Sequence, residues 1–327
     1  MSAPTTTSIA SLFDPGILRS ALLPSLQVHT ALAIPTYLIA RSANVVEVKD
    51  FLWGAGQVIN IWYASVGRAV INDGVPVRVA LRALSRPSKL LLAGVTLWGG
   101  RLFYRVLSRA IKRNFADDPR YADAKTSSDW NWAPLTQYLP EAIFQAVIAL
   151  GYTFPFYAVN AKALIIPTDW TVGIEAAAVG IWTAGFALES IADWQIAHYK
   201  AQGGRGLCRD GVWSIVRHPN YLGDLLTHIA YPILQLSTQI FNPYTLLGPL
   251  ANWYFLRHIS GDKENEAAQE ERYRDEQPEK MLDLIESREE KNAFWPGVKE
   301  LGNVWFWAVG AVGVAGVFGE RALRQYY

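Results

Sequence analysis

Eight apolar stretches of bilayer-crossing length recur along this chain, roughly over 17–40, 51–71, 90–108, 138–158, 171–192, 224–241, 243–257 and 302–319. A hydrocarbon core about 30 Å thick takes about 20 residues of helix to cross. A soluble helical protein of this size would carry amphipathic stripes instead. The stretches 171–188 and 302–319 are apolar on all sides, which suits lipid and not water. Half of the 327 residues are hydrophobic and under a fifth are charged, fewer charges than soluble domains carry. The expected fold is therefore all-α: a polytopic membrane bundle of about seven or eight transmembrane helices.

Composition excludes several function classes. The net charge of +1 offers no bulk attraction to nucleic acid. Cys208 is the single cysteine, so neither an intrachain disulfide framework nor a cysteine zinc site is possible. His29, His198, His218, His228 and His258 show no metal-helix spacing, and no metal is expected. The N-terminus is polar without a basic n-region, unlike a cleaved signal peptide, which leaves the first membrane segment as the insertion signal. The charged stretches 112–131 and 257–295 read as aqueous, with most of their charges on solvated faces.

Ionisable residues inside apolar segments are costly and ask for a role. Arg101, Arg105 and Arg109 share one helix face, with snorkelling to the headgroups the expected account of Arg109. Glu189 and Asp193 lie one turn apart near the end of the fifth segment, followed by Gln195, His198 and Lys200. If the stretch that follows faces the cytosol, the basic loop 72–89, with Arg78, Arg82, Arg86 and Lys89, falls on the wrong side by the positive-inside rule.

That following stretch, RGLCRDGVWSIVRHPNYLGD at 205–224, is polar, basic and aromatic between apolar neighbours. Pro219 suits the first position of a helix. The amides of Asn220, Tyr221 and Leu222 are then expected free at its N-terminus, where an anion is favoured. Arg205, Arg209 and Arg217 have the fork geometry that suits phosphate, and Gly206, Gly211 and Gly223 permit close backbone approach. Two readings follow: a site for a phosphate-bearing cofactor at a membrane surface, or a basic interfacial loop ahead of a proline-started helix.

RHPNYLGD at 217–224 resembles the signature of the steroid 5-alpha-reductase superfamily, most closely its DUF1295 branch. WGGRL at 98–102, DDPRY at 117–121, FALESIADWQIAHYK at 186–200, FQAV at 144–147, SG at 260–261 and Glu266 seven residues before Tyr273 resemble other segments of that branch. The resemblance spans roughly 50–295. It departs after Tyr273, where RYRDEQPEKMLDLIESREEKNAFWPG replaces a compact tyrosine-rich closure. The expected division is a polar segment and first helix over 1–50, the family-like domain over 51–300 and an extra apolar helix over 301–327.

The resemblance implies NADPH-dependent reduction of an activated carbon–carbon double bond in a sterol or other lipid, and residence in the endoplasmic reticulum. It implies that Gln195, Lys200, Arg205, Arg217, His218, Asn220 and Tyr221 line the cofactor. Asp193 and Asp224 suit ribose hydroxyls or orientation of the arginines, and Asn220, both donor and acceptor, suits a carboxamide or ribose. Glu266 is expected to tie the last aqueous helix to this site, or to form a structural ion pair. The cofactor carries the hydride, and the protein orients it and supplies a proton. Tyr221 is the first candidate donor, ahead of Tyr104 and Tyr152, and His218 either polarises a carbonyl or caps the helix. Related R-H-P-x-Y-x-G elements occur in membrane methyltransferases of isoprenylcysteine or phospholipids, where they bind S-adenosylmethionine. The pair Glu270 and Glu271 keeps that alternative open. A third reading is a lipid-binding protein of the same fold without catalysis.

Overall fold

A computed structural model describes residues 12–117, 121, 128–158, 161–204, 206–276 and 278–326. Among these residues every regular element is helical. The α-helices are α1 (Pro15–Ala43), α2 (Phe51–Trp62), α3 (Arg68–Asp73), α4 (Val77–Ala83), α5 (Arg86–Lys112), α6 (Leu139–Tyr157), α7 (Thr168–Ala201), α8 (Pro219–Ser237), α9 (Leu247–Tyr254), α10 (Asp262–Glu276), α11 (Pro278–Glu290) and α12 (Val304–Leu323). Polar residues at the helix starts explain several boundaries. Asp14 accepts from the Gly16 amide at 2.8 Å ahead of α1, Ser85 caps α5, and Asn303 accepts from the Trp305 amide at 3.0 Å ahead of α12, each satisfying an orphan donor. Asn44 ends α1 in the left-handed region (φ 53°), as asparagine tolerates.

Among the described residues five helices are long and apolar enough to cross a membrane: α1, α5, Pro134–Tyr157, α7 and α12. The other three expected stretches are shorter or broken. The 51–71 stretch is divided into α2 and α3 by a π turn at Tyr63–Gly67. The 224–241 stretch falls in α8, which carries Asp224, His228 and Pro232. The 243–257 stretch is a 3-10 turn, the short α9 and a π turn.

Packing divides the chain into two units, Met1–Thr168 with Gln235–Ala251, and Asp169–Leu234 with Asn252–Tyr327. Each unit is discontinuous in sequence. The first helix packs along α6 inside the first unit, and α12 is built into the second.

In the first unit α2 and α5 touch backbone to backbone. A Cβ placed on Gly99 would lie 2.8 Å from the Gly54 carbonyl oxygen, so the first glycine of WGGRL is set by helix contact. At one end of the unit Asp117, from DDPRY, accepts from the amides of Val46 (3.0 Å) and Glu47 (2.9 Å); positions 118–120 of that motif lie outside the described residues. Glu47 in turn pairs with Arg113 and, at 3.4 Å, with Arg109. Arg109 therefore has an ion-pair partner at this end of the unit.

The core of this unit holds an unexpected polar network. Asn60 donates to Ser25 Oγ (3.1 Å), lies 3.3 Å from His29 Nε2 and accepts from the Tyr157 hydroxyl (3.0 Å). Ser25 Oγ lies 3.3 Å from Thr153 Oγ1, Gln57 donates to the Gln145 carbonyl (3.3 Å), and Tyr152 donates to Gln57. All of these side chains are buried. Replacing Asn60 with leucine removes partners from three buried groups at once. Such interhelical bonds are worth about 0.6–1.7 kcal/mol each in membrane proteins, so Asn60→Leu is expected to destabilise by about 1–3 kcal/mol, read as a lower melting temperature of the detergent-purified protein.

In the second unit α7 and α8 cross at glycines. A Cβ on Gly185 would lie 2.6 Å from the Gly223 carbonyl oxygen, and a Cβ on Gly223 would lie 2.6 Å from both the Gly185 oxygen and the Glu189 amide nitrogen. Around this crossing Leu188, Ala192, Val212, Ile215, Val216 and Leu222 form a core that Val309 of α12 completes.

Candidate functional site

The stretch at 206–224 is folded by the helices around it. Gln195 Oε1, from the end of α7, accepts from the Val212 amide at 3.0 Å. Trp213 Nε1 donates to the Ala192 carbonyl at 3.0 Å. The chain then pairs with the segment after α11: the Arg217 amide donates to the Asn292 carbonyl (3.1 Å) and the His218 amide to that of Ala293 (3.0 Å). Asn292 Oδ1 accepts from the amides of Phe294 (2.9 Å) and Trp295 (3.0 Å), which holds that acceptor segment in shape.

Glu266 is the hub. One carboxylate oxygen takes Arg217 Nε at 2.9 Å and His218 Nε2 at 2.8 Å; the other takes Arg288 Nε at 2.9 Å and Arg217 Nη2 at 3.3 Å. Arg217 Nη1 also donates to the Lys291 carbonyl at 2.7 Å, and Lys291 Nζ reaches the Ser214 carbonyl. Burial alone would raise the Glu266 carboxyl, but the hydrogen bond and charge of His218, with those of Arg217 and Arg288, outweigh it and hold the group at about 2. Arg288 also pairs with Glu270 at 3.0 Å.

Two expectations are corrected here. The amides of Tyr221 and Leu222 both donate to the His218 carbonyl at 3.1 Å, so they are not free for an anion. The Arg217 guanidinium is engaged by Glu266 and main-chain carbonyls, and its side chain is only 13% exposed. It joins α8 to α10 and to the segment after α11, with no donor face turned to a phosphate.

The remaining expected site residues are spread over this unit. The Tyr221 ring stacks on His218 (centroids 5.4 Å apart) and on Phe294 (6.3 Å), and its hydroxyl accepts from Asn265 Nδ2. Asn220 is 9% exposed, and its Oδ1 is buried with no hydrogen-bond partner. Asp224 Oδ1 lies 3.2 Å from His228 Nδ1, one turn further along α8. His228 packs edge-on to Tyr231, whose hydroxyl accepts from Trp182 at 3.2 Å. Asp193 is half-buried one turn beyond the buried Glu189, and Lys200 is exposed near the end of α7. Arg205 lies outside the described residues. Arg209 pairs with Glu286 (3.2 Å) and Glu290 (3.5 Å), all three open to solvent. Tyr104 lies on the exterior of the first unit, and Tyr152 belongs to that unit's polar network.

The structure thus brings Arg217, His218, Tyr221 and Glu266 together and sets Gln195 to holding the 211–214 turn. Arg288, Asn265 and Asn292 complete these contacts, His228 pairs with Asp224, and none of the four was singled out as a site residue by the sequence. The first three sit in a run of alternating charges that reads as a solvated face. His228 had a signal, its i,i+4 spacing from Asp224 on one helix face.

A family model described as a protein of unknown function (DUF1295) matches residues 36–280, well over half of the chain. The chain belongs to the DUF1295 family. No curated protein and no solved structure matches it. The DUF1295 match begins within α1 and stops at the start of α11. Arg288 and the 291–293 segment, which hold Glu266 and Arg217, therefore lie beyond the DUF1295 region.

Proposed function

We propose that this DUF1295 protein is a membrane-embedded reductase that uses NADPH to reduce a carbon–carbon double bond in a lipid or sterol-like substrate. The observation that carries the reading is Asn220, a buried amide oxygen without a partner in the first turn of α8. A buried unpaired acceptor is costly, and a ligand N–H or hydroxyl, such as a carboxamide or ribose offers, satisfies it. The fit is selective among the residues present. Arg209, paired only with exposed carboxylates of α11 and the Asp283 carbonyl (2.5 Å), can exchange them for phosphate. Arg217 cannot do so without losing Glu266, and acts as a positioning residue.

NADPH, when bound, supplies the hydride. The chain's own part is to orient the cofactor through Asn220, to hold the start of α8 rigid through Arg217, His218 and Glu266, and to carry a proton at the Tyr221 hydroxyl, which Asn265 orients. Seven or eight crossings counting the shorter helices, a cytosol-facing cofactor end and residence in the endoplasmic reticulum belong to the same reading. Methyl transfer from S-adenosylmethionine is the second reading. Its paired glutamates are met here by Glu270 engaged with Arg288 and Arg274.

Titration of the detergent-purified protein with NADPH, NADH and S-adenosylmethionine tests this. Saturable NADPH binding is expected, weakened about tenfold or more in Asn220→Ala, as for the loss of a buried ligand hydrogen bond. Binding of S-adenosylmethionine alone would move the site to methyl transfer, and binding of none of the three would overturn both.

A further inference from the structure

The two ends of the first unit treat their charges differently. At the end that holds Glu47, cations meet acids: Arg109 and Arg113 pair with Glu47, Lys49 pairs with Glu141 at 2.5 Å, and the Tyr121 hydroxyl donates to Asp50 at 2.8 Å. The opposite end is assembled from chain distant in sequence. Asn242 Nδ2 donates to the carbonyls of Leu12 (3.2 Å) and Lys162 (3.1 Å), and Arg68 donates to the Phe156 carbonyl (3.2 Å). Here α3 turns at Gly74 (φ 68°) into the short α4, which packs on the π turn at Tyr63–Gly67, and α5 begins.

The sequence holds no acid between Asp73 and Asp117. Among the described residues Arg78, Arg82 and Lys89 form no ion pair, and Arg78 and Arg82 are exposed one turn apart on α4. Beside them Ile71, Val77 and Val79 are exposed while Ala80 faces inward. Unpaired cations mixed with exposed apolar side chains, at the mouth of a membrane-crossing helix, match the boundary between headgroups and acyl chains. The apolar groups enter the acyl region and the cations remain among the phosphates.

We infer that Arg78, Arg82 and Lys89 form a docking surface for anionic phospholipid headgroups. The lipid phosphates supply the acid partners that these three cations lack among the described residues. This accounts for the basic loop that the positive-inside rule leaves unplaced, and it is independent of the reductase reading.

The test uses the full chain in neutral detergent, with its thermal unfolding followed as phosphatidylserine, phosphatidylcholine or inorganic phosphate is added. Phosphatidylserine is expected to raise the melting temperature more than phosphatidylcholine, with the difference shrinking in high salt. In the triple variant Arg78→Gln/Arg82→Gln/Lys89→Gln the phosphatidylserine concentration needed is expected to rise about tenfold or more, since each basic residue near an anionic surface contributes roughly a fivefold factor. Arg78→Lys/Arg82→Lys should retain the response, as should Lys112→Gln at the other end. An equal response to both lipids, a triple variant that responds like the parent, or a response to inorganic phosphate that matches the lipid would each overturn the proposal.

Discussion

Replacing Glu266 with alanine is expected to release α10 and α11 from the start of α8 and to destabilise the second unit by about 3 kcal/mol. The figure follows from what the carboxylate holds. Removing one partner of a buried ion pair costs about 3–5 kcal/mol because an uncompensated charge stays behind. Here the partners are Arg217, 13% exposed, and the more open Arg288, 32% exposed, so the lower end applies. α10 has no apolar stripe to fall back on: its sequence is DKENEAAQEERYRDE. Among the described residues its buried anchors are two carboxylates one turn apart, Asp262 on Arg257 and Glu266 on the hub. Glu266→Gln, which keeps the shape and loses the charge, should fall between the parent and alanine. Arg217→Lys should resemble Arg217→Ala, since an ammonium cannot reproduce the fork. Thermal unfolding and limited proteolysis of the 262–290 region read both effects.

The same group sets an acid limit. Its folded value of about 2 lies below the ordinary 4.5, so its contribution is full at neutral pH and persists down to the ordinary carboxylate range. It is then lost as pH falls from about 4.5 towards 2. The stability gap between the parent and Glu266→Gln should therefore close as pH falls below about 4.5. A gap that widens in acid would contradict the hub geometry.

Gly223→Ala should be nearly as damaging. Its Cβ would lie 2.6 Å from the Gly185 oxygen and the Glu189 nitrogen, and backbone on both sides cannot move aside as a side-chain tip can. Overpacking typically costs about 1–3 kcal/mol, and a two-sided backbone clash belongs at the upper end or beyond. The change also separates the α7 and α8 faces that carry Glu189 and Asp224, so on the proposed reductase reading a drop in NADPH affinity should accompany the lower melting temperature. Gly100→Ala is the matched control. No atom lies within 4 Å of its added Cβ, and alanine in a helix gains up to about 1 kcal/mol over glycine, so a neutral or raised melting temperature is expected.

The contrast between Gly99 and Gly100 shows where sequence reading stops. Both sit in WGGRL and are identical as letters, but only Gly99 faces the backbone of α2. Which of two adjacent helix positions meets a neighbour depends on that neighbour's angle and distance, and neither is encoded locally. Arg217 teaches the same lesson in charge. Its fork geometry suits phosphate and carboxylate equally, and the structure supplies a carboxylate from a residue 49 positions away. Arg288, in a run that reads as a solvated charged face, has no local pattern to mark it.

By itself the sequence determined what depends on composition, period and ordered motifs. These are an all-helical chain with spans of bilayer length, proline and polar caps at helix starts, and membership of the DUF1295 family. Length and apolar character suffice for a helix in lipid because the backbone has no other way to satisfy its hydrogen bonds there. The tertiary structure decided the partner of each polar group. It joined Asn60 to Ser25, His29 and Tyr157, closed Glu266 over Arg217, His218 and Arg288, and left the Asn220 oxygen without a partner and Arg78, Arg82 and Lys89 without acids. Polar groups bond at about 3 Å whatever their separation along the chain, so only the packed helices determine which are satisfied and which are left for a ligand.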